Sequence, residues 1–251
     1  MEFNPFTLRG KCILVTGASS GIGREIAVAC AQMGAGVILT ARNAARLEET
    51  LARLPEGDHR VLTADLTRED DRTKLVEALP PLDGVVHCAG VGSRVLCKNI
   101  EQEDIRQIFQ PNVEAPILLQ SALLRGKKIK KGASVVFIAS RAAVAPSIGN
   151  AAYSASKGAI ISYAKCLALE LAPRLIRVNC ICPAMVWTEL ILTDSIDKEQ
   201  LEEAQLKYPL KRFGKPEDVA YLALYLLSDA AEWMTGSAID ITGGGEGTLT
   251  M

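Results

Sequence analysis

Short, nearly all-apolar runs alternate with amphipathic stretches along this chain. Lys11–Thr16, Val37–Ala41, Arg60–Ala64, Gly84–Gly90, Ala133–Ala139, Arg177–Cys182 and Ser237–Ile241 each read as a strand buried on both faces. Between them, apolar positions recur at helical spacing over Arg24–Met33, Asn43–Leu54, Arg68–Leu79, Ile100–Leu124, the stretch through Tyr153 to about Ala172, and Pro216–Ser228. Pro55, Pro80-Pro81 and Pro173 close three of these helices. The pattern over Ile100–Leu124 carries Pro111 and Pro116 inside it, which predicts a bend around Asn112. Lys127-Lys128-Ile129-Lys130-Lys131 reads as the solvated end of that helix. Residues 185–210 are amphipathic with mixed charge and read as a mobile flap over the site rather than core. Strand–helix alternation of this kind predicts an α/β fold. We expect one doubly wound domain over residues 1–251, with about seven parallel strands and helices on both faces.

Composition narrows the function classes. The 251 residues are 49% hydrophobic, enough for a large core, and the net charge is -1. No global field therefore attracts nucleic acid or a membrane surface. No apolar run reaches spanning length, so we expect a cytoplasmic protein. The seven cysteines are scattered through apolar segments and read as reduced thiols. Cys180-x-Cys182 lacks a second ligand pair and the chain has only two histidines, so no metal site is expected.

The first strand runs into Gly17-Ala18-Ser19-Ser20-Gly21-Ile22-Gly23, and a helix follows at once. Glycines between strand and helix let a pyrophosphate approach the backbone at the helix N-terminus. The second strand ends Thr40-Ala41-Arg42, with no carboxylate for the adenosine ribose and an arginine suited to a 2′-phosphate. NADP(H) is therefore expected in preference to NAD(H). Asp65, followed by Leu66, could accept from an adenine amino group or cap the helix opening at Thr67. Ala89-Gly90 gives the fourth strand the small-residue exit that a close-lying cofactor requires.

Tyr153 and Lys157 stand four apart in a proline-free stretch, on one face of a helix. An ammonium fixed beside a phenol favours phenolate, which makes Tyr153 a usable acid or base. Ser140 ends the fifth strand, where its hydroxyl could hydrogen-bond a carbonyl oxygen that Tyr153 protonates.

Together these pieces resemble the short-chain dehydrogenase/reductase family. The matching residues are Thr16 to Gly23, Asp65-Leu66, Cys88-Ala89-Gly90, Asn112, Ser140, Tyr153-x-x-x-Lys157 and Pro183-Ala184-Met185-Val186-Trp187-Thr188. The resemblance implies a catalytic set of Asn112, Ser140, Tyr153 and Lys157. It also implies cofactor contacts from Gly17, Ser19, Ser20, Gly21, Ile22, Gly23, Arg42, Asp65, Leu66, Ala89, Gly90, Tyr153, Lys157, Val186 and Thr188. The implied reaction is hydride transfer between a nicotinamide and a carbonyl or secondary alcohol. Two departures stand out. His87 and Cys88 replace two asparagines usual in the family, which puts a hydrogen bond near the cofactor in question. Ala184 replaces a glycine, so a positive φ there would be strained.

Within the family the chain resembles the 3-oxoacyl-[acyl-carrier-protein] reductases, through Arg212-Phe213-Gly214-Lys215-Pro216-Glu217-Asp218, the four catalytic positions and Arg174. That likeness implies a 3-oxoacyl thioester substrate and an acyl carrier protein partner docking on Arg174 and Lys130/Lys131. Family members acting on a sugar, steroid or small alcohol share the same C-terminal pattern. A reading of another class is a dinucleotide-binding sensor or scaffold without turnover. Apolar residues on two sides of the Asn112 and Tyr153 helices, with family likeness, imply a homotetramer.

Overall fold

The computed structural model describes residues 3–191 and 198–245. Seven parallel strands form one sheet in the order β3-β2-β1-β4-β5-β6-β7. The strands are β1 Cys12–Thr16, β2 Gly36–Thr40, β3 Arg60–Val61, β4 Leu82–His87, β5 Ile129–Ile138, β6 Arg177–Pro183 and β7 Ala238–Ile241. Sequence order reverses between β1 and β4, which creates the crevice where doubly wound folds bind ligands.

Alternation along the strands builds two cores. Leu14, Val85, Val135 and Phe137 face one side, under α3 (Glu69–Ala78), α5 (Ala115–Arg125) and α6 (Ala151–Leu171). Ile13, Val15, Val86 and Val136 face the other, under α1 (Gly21–Gln32), α2 (Ala44–Leu51) and α8 (Pro216–Leu227). Burial on both faces is what the continuous apolar runs demand.

The structure changes several expectations. The third strand pairs only over Arg60–Val61 instead of reaching Ala64, although Leu62 and Ala64 still donate to the carbonyls of Leu39 and Ala41. The long pattern through Asn112 divides into α4 (Gln102–Phe109), a π-helical turn at Gln110–Glu114, and α5. Pro111 brings no N–H to the helical ladder, and the extra residue is accommodated as a π turn. The basic run after α5 is not a helix end. Ile129 is buried and pairs with Leu82, so Lys130 and Lys131 lie at the start of β5. Lys130 forms an ion pair with Asp83 at 2.7 Å.

The amphipathic segment after β6 also differs from a flap lacking core. Its helix α7 (Lys198–Gln205) buries Leu201 and Ala204 against Tyr208 and Phe213, with Ala184, Met185, Trp187 and Ile191 packed around them. Part of the 185–210 flap, residues 192–197, lies outside the described residues.

Candidate active site

The glycine turn sits at the reversal point between β1 and β4. A Cβ on Gly17 would lie 2.9 Å from the Ala89 backbone, and Gly17 has φ +68°, which suits glycine. A Cβ on Gly23 would lie 2.3 Å from the Gly17 carbonyl, so only glycine lets α1 start this close to β1. Thr16, buried at the end of β1, joins the two loops. Its hydroxyl accepts from the N–H groups of Cys88 at 3.0 Å and Ala89 at 3.1 Å.

The turn is braced from behind. Thr50 donates to the Ala18 carbonyl at 2.9 Å and Arg24 to the Ser19 carbonyl at 2.5 Å. Ser20 makes no side-chain cap to α1, and the first turn holds no acidic residue. Ser20, Gly21 and Ile22 thus open an electropositive helix end toward the crevice.

Four elements bring the remaining chemistry together. Tyr153 and Lys157 share the N-terminal half of α6, with the Lys157 ammonium 5.7 Å from the Tyr153 ring centre. Lys157 is buried and donates to the Ile138 carbonyl at 2.9 Å, two residues before Ser140. The Ser140 hydroxyl accepts from the Ala142 N–H at 3.1 Å. Asn112, buried in the π turn, donates to the Val91 carbonyl at 2.9 Å and to the Ser156 hydroxyl at 3.2 Å. A Cβ on Gly90 would lie 3.0 Å from Asn112 Oδ1 and 3.6 Å from Lys157 Nζ. Gly90, Asn112 and Lys157 therefore meet at one point beyond β4.

The strand after Lys157's partner, β6, delivers the other wall. Val186 bridges to Gly214, while Trp187 donates to the Gly214 carbonyl and Gly214 to the Met185 carbonyl, both at 2.9 Å. The methyl of Thr188 would stand 3.2 Å from a Cβ on Gly21, which seats Thr188 over the glycine turn.

Known proteins resemble this chain over most of its length. A family model described as "Enoyl-(Acyl carrier protein) reductase" matches residues 17–246. An L-xylulose reductase of Caenorhabditis elegans is 35% identical over 93% of this chain and 95% of its own length. The 3-oxoacyl-[acyl-carrier-protein] reductase FabG of Rickettsia felis is 31% identical over 94% of this chain and 97% of its own. A solved structure of a putative 2-deoxy-d-gluconate 3-dehydrogenase from Agrobacterium tumefaciens, with bound NADP, superposes with a TM-score of 0.86. That protein is 30% identical, over 96% of this chain and 98% of its own.

The chain belongs to the short-chain dehydrogenase/reductase family. It is an oxidoreductase acting on CH–OH or carbonyl groups. The family uses a nicotinamide dinucleotide, and the residues present fit one: the diphosphate needs the cradle that Gly17, Gly21 and the uncapped start of α1 leave open.

In this dehydrogenase/reductase, Arg42 is exposed just past β2. Leu66 is buried beside Asp65. Asp65 does not cap α3, which begins only at Glu69. Its carboxylate instead accepts from the Thr67 N–H at 3.0 Å and the Thr67 hydroxyl at 2.7 Å. Burial opposes the Asp65 charge, but these bonds and the nearby Arg42 and Arg68 hold the carboxyl below its usual range.

Both departures from the family pattern have structural answers. The His87 side chain is buried in the core. It points under α5, where Nε2 meets Gln120 Oε1 at 3.0 Å and the ring stacks on Phe137 at 4.5 Å. Burial pushes the His87 imidazole down to about 4, partly opposed by its bond to Gln120. At Cys88 the backbone N–H is taken by Thr16, and desolvation pushes the thiol up to about 12. Ala184 has no positive φ; among the described residues only Lys127, Leu175 and Lys211 do so without being glycine. The strain expected at Ala184 is absent.

Sequence reasoning placed Thr16 in the matching motif but gave it no role, and it passed over Gln120 and the pairing of Arg46 with Glu189. Thr16 ends a strand one residue before the glycine turn, and nothing local shows that its hydroxyl reaches Cys88 and Ala89. The Arg212–Phe213–Gly214 segment proves structural here. Gly214 props Val186, and Arg212 pairs with Asp218 through contacts of 2.6 and 3.1 Å.

Proposed function

We propose that this protein is an NADP(H)-dependent carbonyl reductase and secondary-alcohol dehydrogenase in which Tyr153, Ser140, Lys157 and Asn112 form the catalytic set. The observation that carries this reading is the meeting of Gly90, Asn112 and Lys157 beyond β4, with Lys157 anchored beside Ser140. The bound nicotinamide supplies or accepts the hydride. Tyr153 gives its proton to the developing alkoxide, and Ser140 hydrogen-bonds the same oxygen. Lys157 would hold the nicotinamide ribose, and Val186 and Thr188 would contact the nicotinamide. Asn112 fixes the loop at Val91 and orders water leading from Lys157 to solvent. Gly17, Ser19, Ser20, Gly21, Ile22 and Gly23 would cradle the diphosphate, Asp65 and Leu66 would line the adenine side, and Ala89 and Gly90 would let the cofactor lie close to the end of β4. Arg42 is the 2′-phosphate contact that favours NADP(H).

A 3-oxoacyl thioester is the favoured substrate, and a sugar is the second, supported by the likeness to an L-xylulose reductase. A carrier protein would meet Arg174, Lys130 and Lys131, which cluster where Arg174 donates to the Ile129 carbonyl at 2.5 Å. That cluster stands at the opposite end of β5 from Ser140, roughly 30 Å along the strand, so a carrier bound there would serve the site of a neighbouring chain. Exposed Leu118 and Leu169 on the outer faces of α5 and α6, and the fully exposed Trp233, supply surfaces for a homotetramer.

The test is NADPH and NADH oxidation measured side by side with acyl-thioester, sugar and small-ketone substrates. Consumption of NADPH with at least one carbonyl is expected. Tight cofactor binding with no consumption for any of them would leave a binder and overturn the reading.

A further inference from the structure

Three loops rise from the C-terminal edge of the sheet around Tyr153: residues 91–96 after β4, 141–150 after β5 and 185–191 after β6. They touch one another. The Val95 N–H donates to the Gly149 carbonyl at 2.8 Å. A Cβ on Gly92 would lie 3.5 Å from Leu190 Cδ1. Each loop turns large apolar side chains to solvent: Leu96 is 46% exposed, Val144 65%, Ile148 78% and Leu190 50%.

Several polar side chains of the same loops are already engaged, while Arg94 stands exposed. Asn150 donates to the Ser147 hydroxyl at 3.0 Å, and Arg141 pairs with Asp240 at 2.8 Å. Glu189 is paired with Arg46. Segments 91–96 and 141–150 contain no carboxylate. A polyol entering here would give up water for few hydrogen-bond partners, each loss uncompensated. An aliphatic chain would bury the exposed leucine, isoleucine and valine side chains and lose nothing polar.

We infer that the carbonyl compound this site accepts carries an extended apolar chain, seated on Leu96, Ile148 and Leu190. The inference rests on the catalytic reading above and selects between its two substrate classes. The occupant is substrate because the apolar residues come from three separate segments joined by the Val95–Gly149 and Gly92–Leu190 contacts, and the middle segment runs from Ser140 to Tyr153. The outward leucines of α5 and α6 form a different surface.

The decisive series is 3-oxobutanoyl, 3-oxohexanoyl and 3-oxooctanoyl N-acetylcysteamine thioesters, with L-xylulose as the polyol. We expect kcat/KM to rise about fourfold for each methylene that becomes buried. The combined variant Ile148→Ser, Leu190→Ser should flatten that rise. The same series of 3-hydroxyacyl thioesters, titrated calorimetrically into Tyr153→Phe protein with bound NADP, should show the same slope in Kd. A flat series, or turnover of L-xylulose above that of the octanoyl probe, overturns the apolar-chain inference while leaving the reductase reading intact. Absence of turnover for every probe overturns the reductase reading, and the calorimetric slope then still decides the apolar claim. An unchanged slope in the double variant, with a lower mass by light scattering, would assign the patch to contact between copies and also overturn it.

Discussion

The side-chain amide of Asn112 closes a two-way pair with the backbone of Val91. Oδ1 accepts from the Val91 N–H at 2.8 Å, and Nδ2 donates to the Val91 carbonyl at 2.9 Å. Asparagine alone among residues of this size offers a donor and an acceptor in that geometry. The π turn on α4–α5 is thereby fixed to the loop leaving β4, next to Gly90 and Lys157. Asn112→Leu strands the Val91 groups, each costing about 1–3 kcal/mol where buried. We expect the melting temperature to fall by several degrees, about 2–4 °C per kcal/mol at this chain length, together with a large loss of kcat. Thermal unfolding and turnover measured on the same preparation check it. An unchanged melting temperature would refute the bracing role.

Tyr153→Phe keeps the ring and its packing beside Lys157 but removes the hydroxyl. Turnover should fall on the order of 10²–10⁴-fold, with NADPH affinity close to wild type by fluorescence titration. Near-native activity toward an accepted ketone contradicts the proposed mechanism.

Arg42→Ala removes the exposed guanidinium at the end of β2. NADPH should bind about tenfold to a hundredfold more weakly, since one charge-assisted contact contributes roughly 1.5–3 kcal/mol, and NADH should change little. Equal Kd values for the two cofactors in the wild-type protein would remove the basis for this expectation.

Ala184→Gly restores the family's usual residue, yet the backbone there does not need it. Glycine adds only freedom to the unfolded chain, so the variant should be less stable by about 0.4–1 kcal/mol. Urea unfolding measures the difference. A gain in stability would mean that residue 184 is strained.

His87 links stability to pH. The folded protein holds its imidazole at about 4, whereas an unfolded histidine titrates near 6.5. Between those values the unfolded chain binds more protons, so stability rises with pH. The contribution is fully present above pH 6.5 and lost as the pH falls toward 4. From pH 7 to 4.5, wild type should lose on the order of 2–3 kcal/mol more than His87→Asn, which lacks the group. Parallel urea curves at the two pH values give the comparison, and identical losses in both proteins would exclude His87 as the source.

Much of this architecture was legible because parallel strands buried on both faces leave unbroken apolar runs. β1, β2, β4, β6 and β7 fall within a few residues of their expected positions for that reason. The bend at Asn112 was legible through Pro111, whose missing N–H is a local property. β5 was read short because Ile129 is a lone apolar residue among four lysines, and nothing local says that it pairs with Leu82. The third strand was read long because Leu62 and Ala64 bond to β2's far end without continuing a ladder.

The site divides along the same line. Glycine spacing, the Tyr153–Lys157 interval and the strand-end position of Ser140 are short-range signals, and the chain alone determined the family and the chemistry from them. Where His87 points was decided only in three dimensions, since either face of β4 would accept it until Gln120 and Phe137 closed on one side. The same holds for Thr16 bridging to Cys88 and Ala89, Asn112 bracing Val91, and Thr188 lying over Gly21. Each joins segments tens of residues apart, and sequence fixes which groups a side chain offers, whereas the packed fold fixes which partner is within reach.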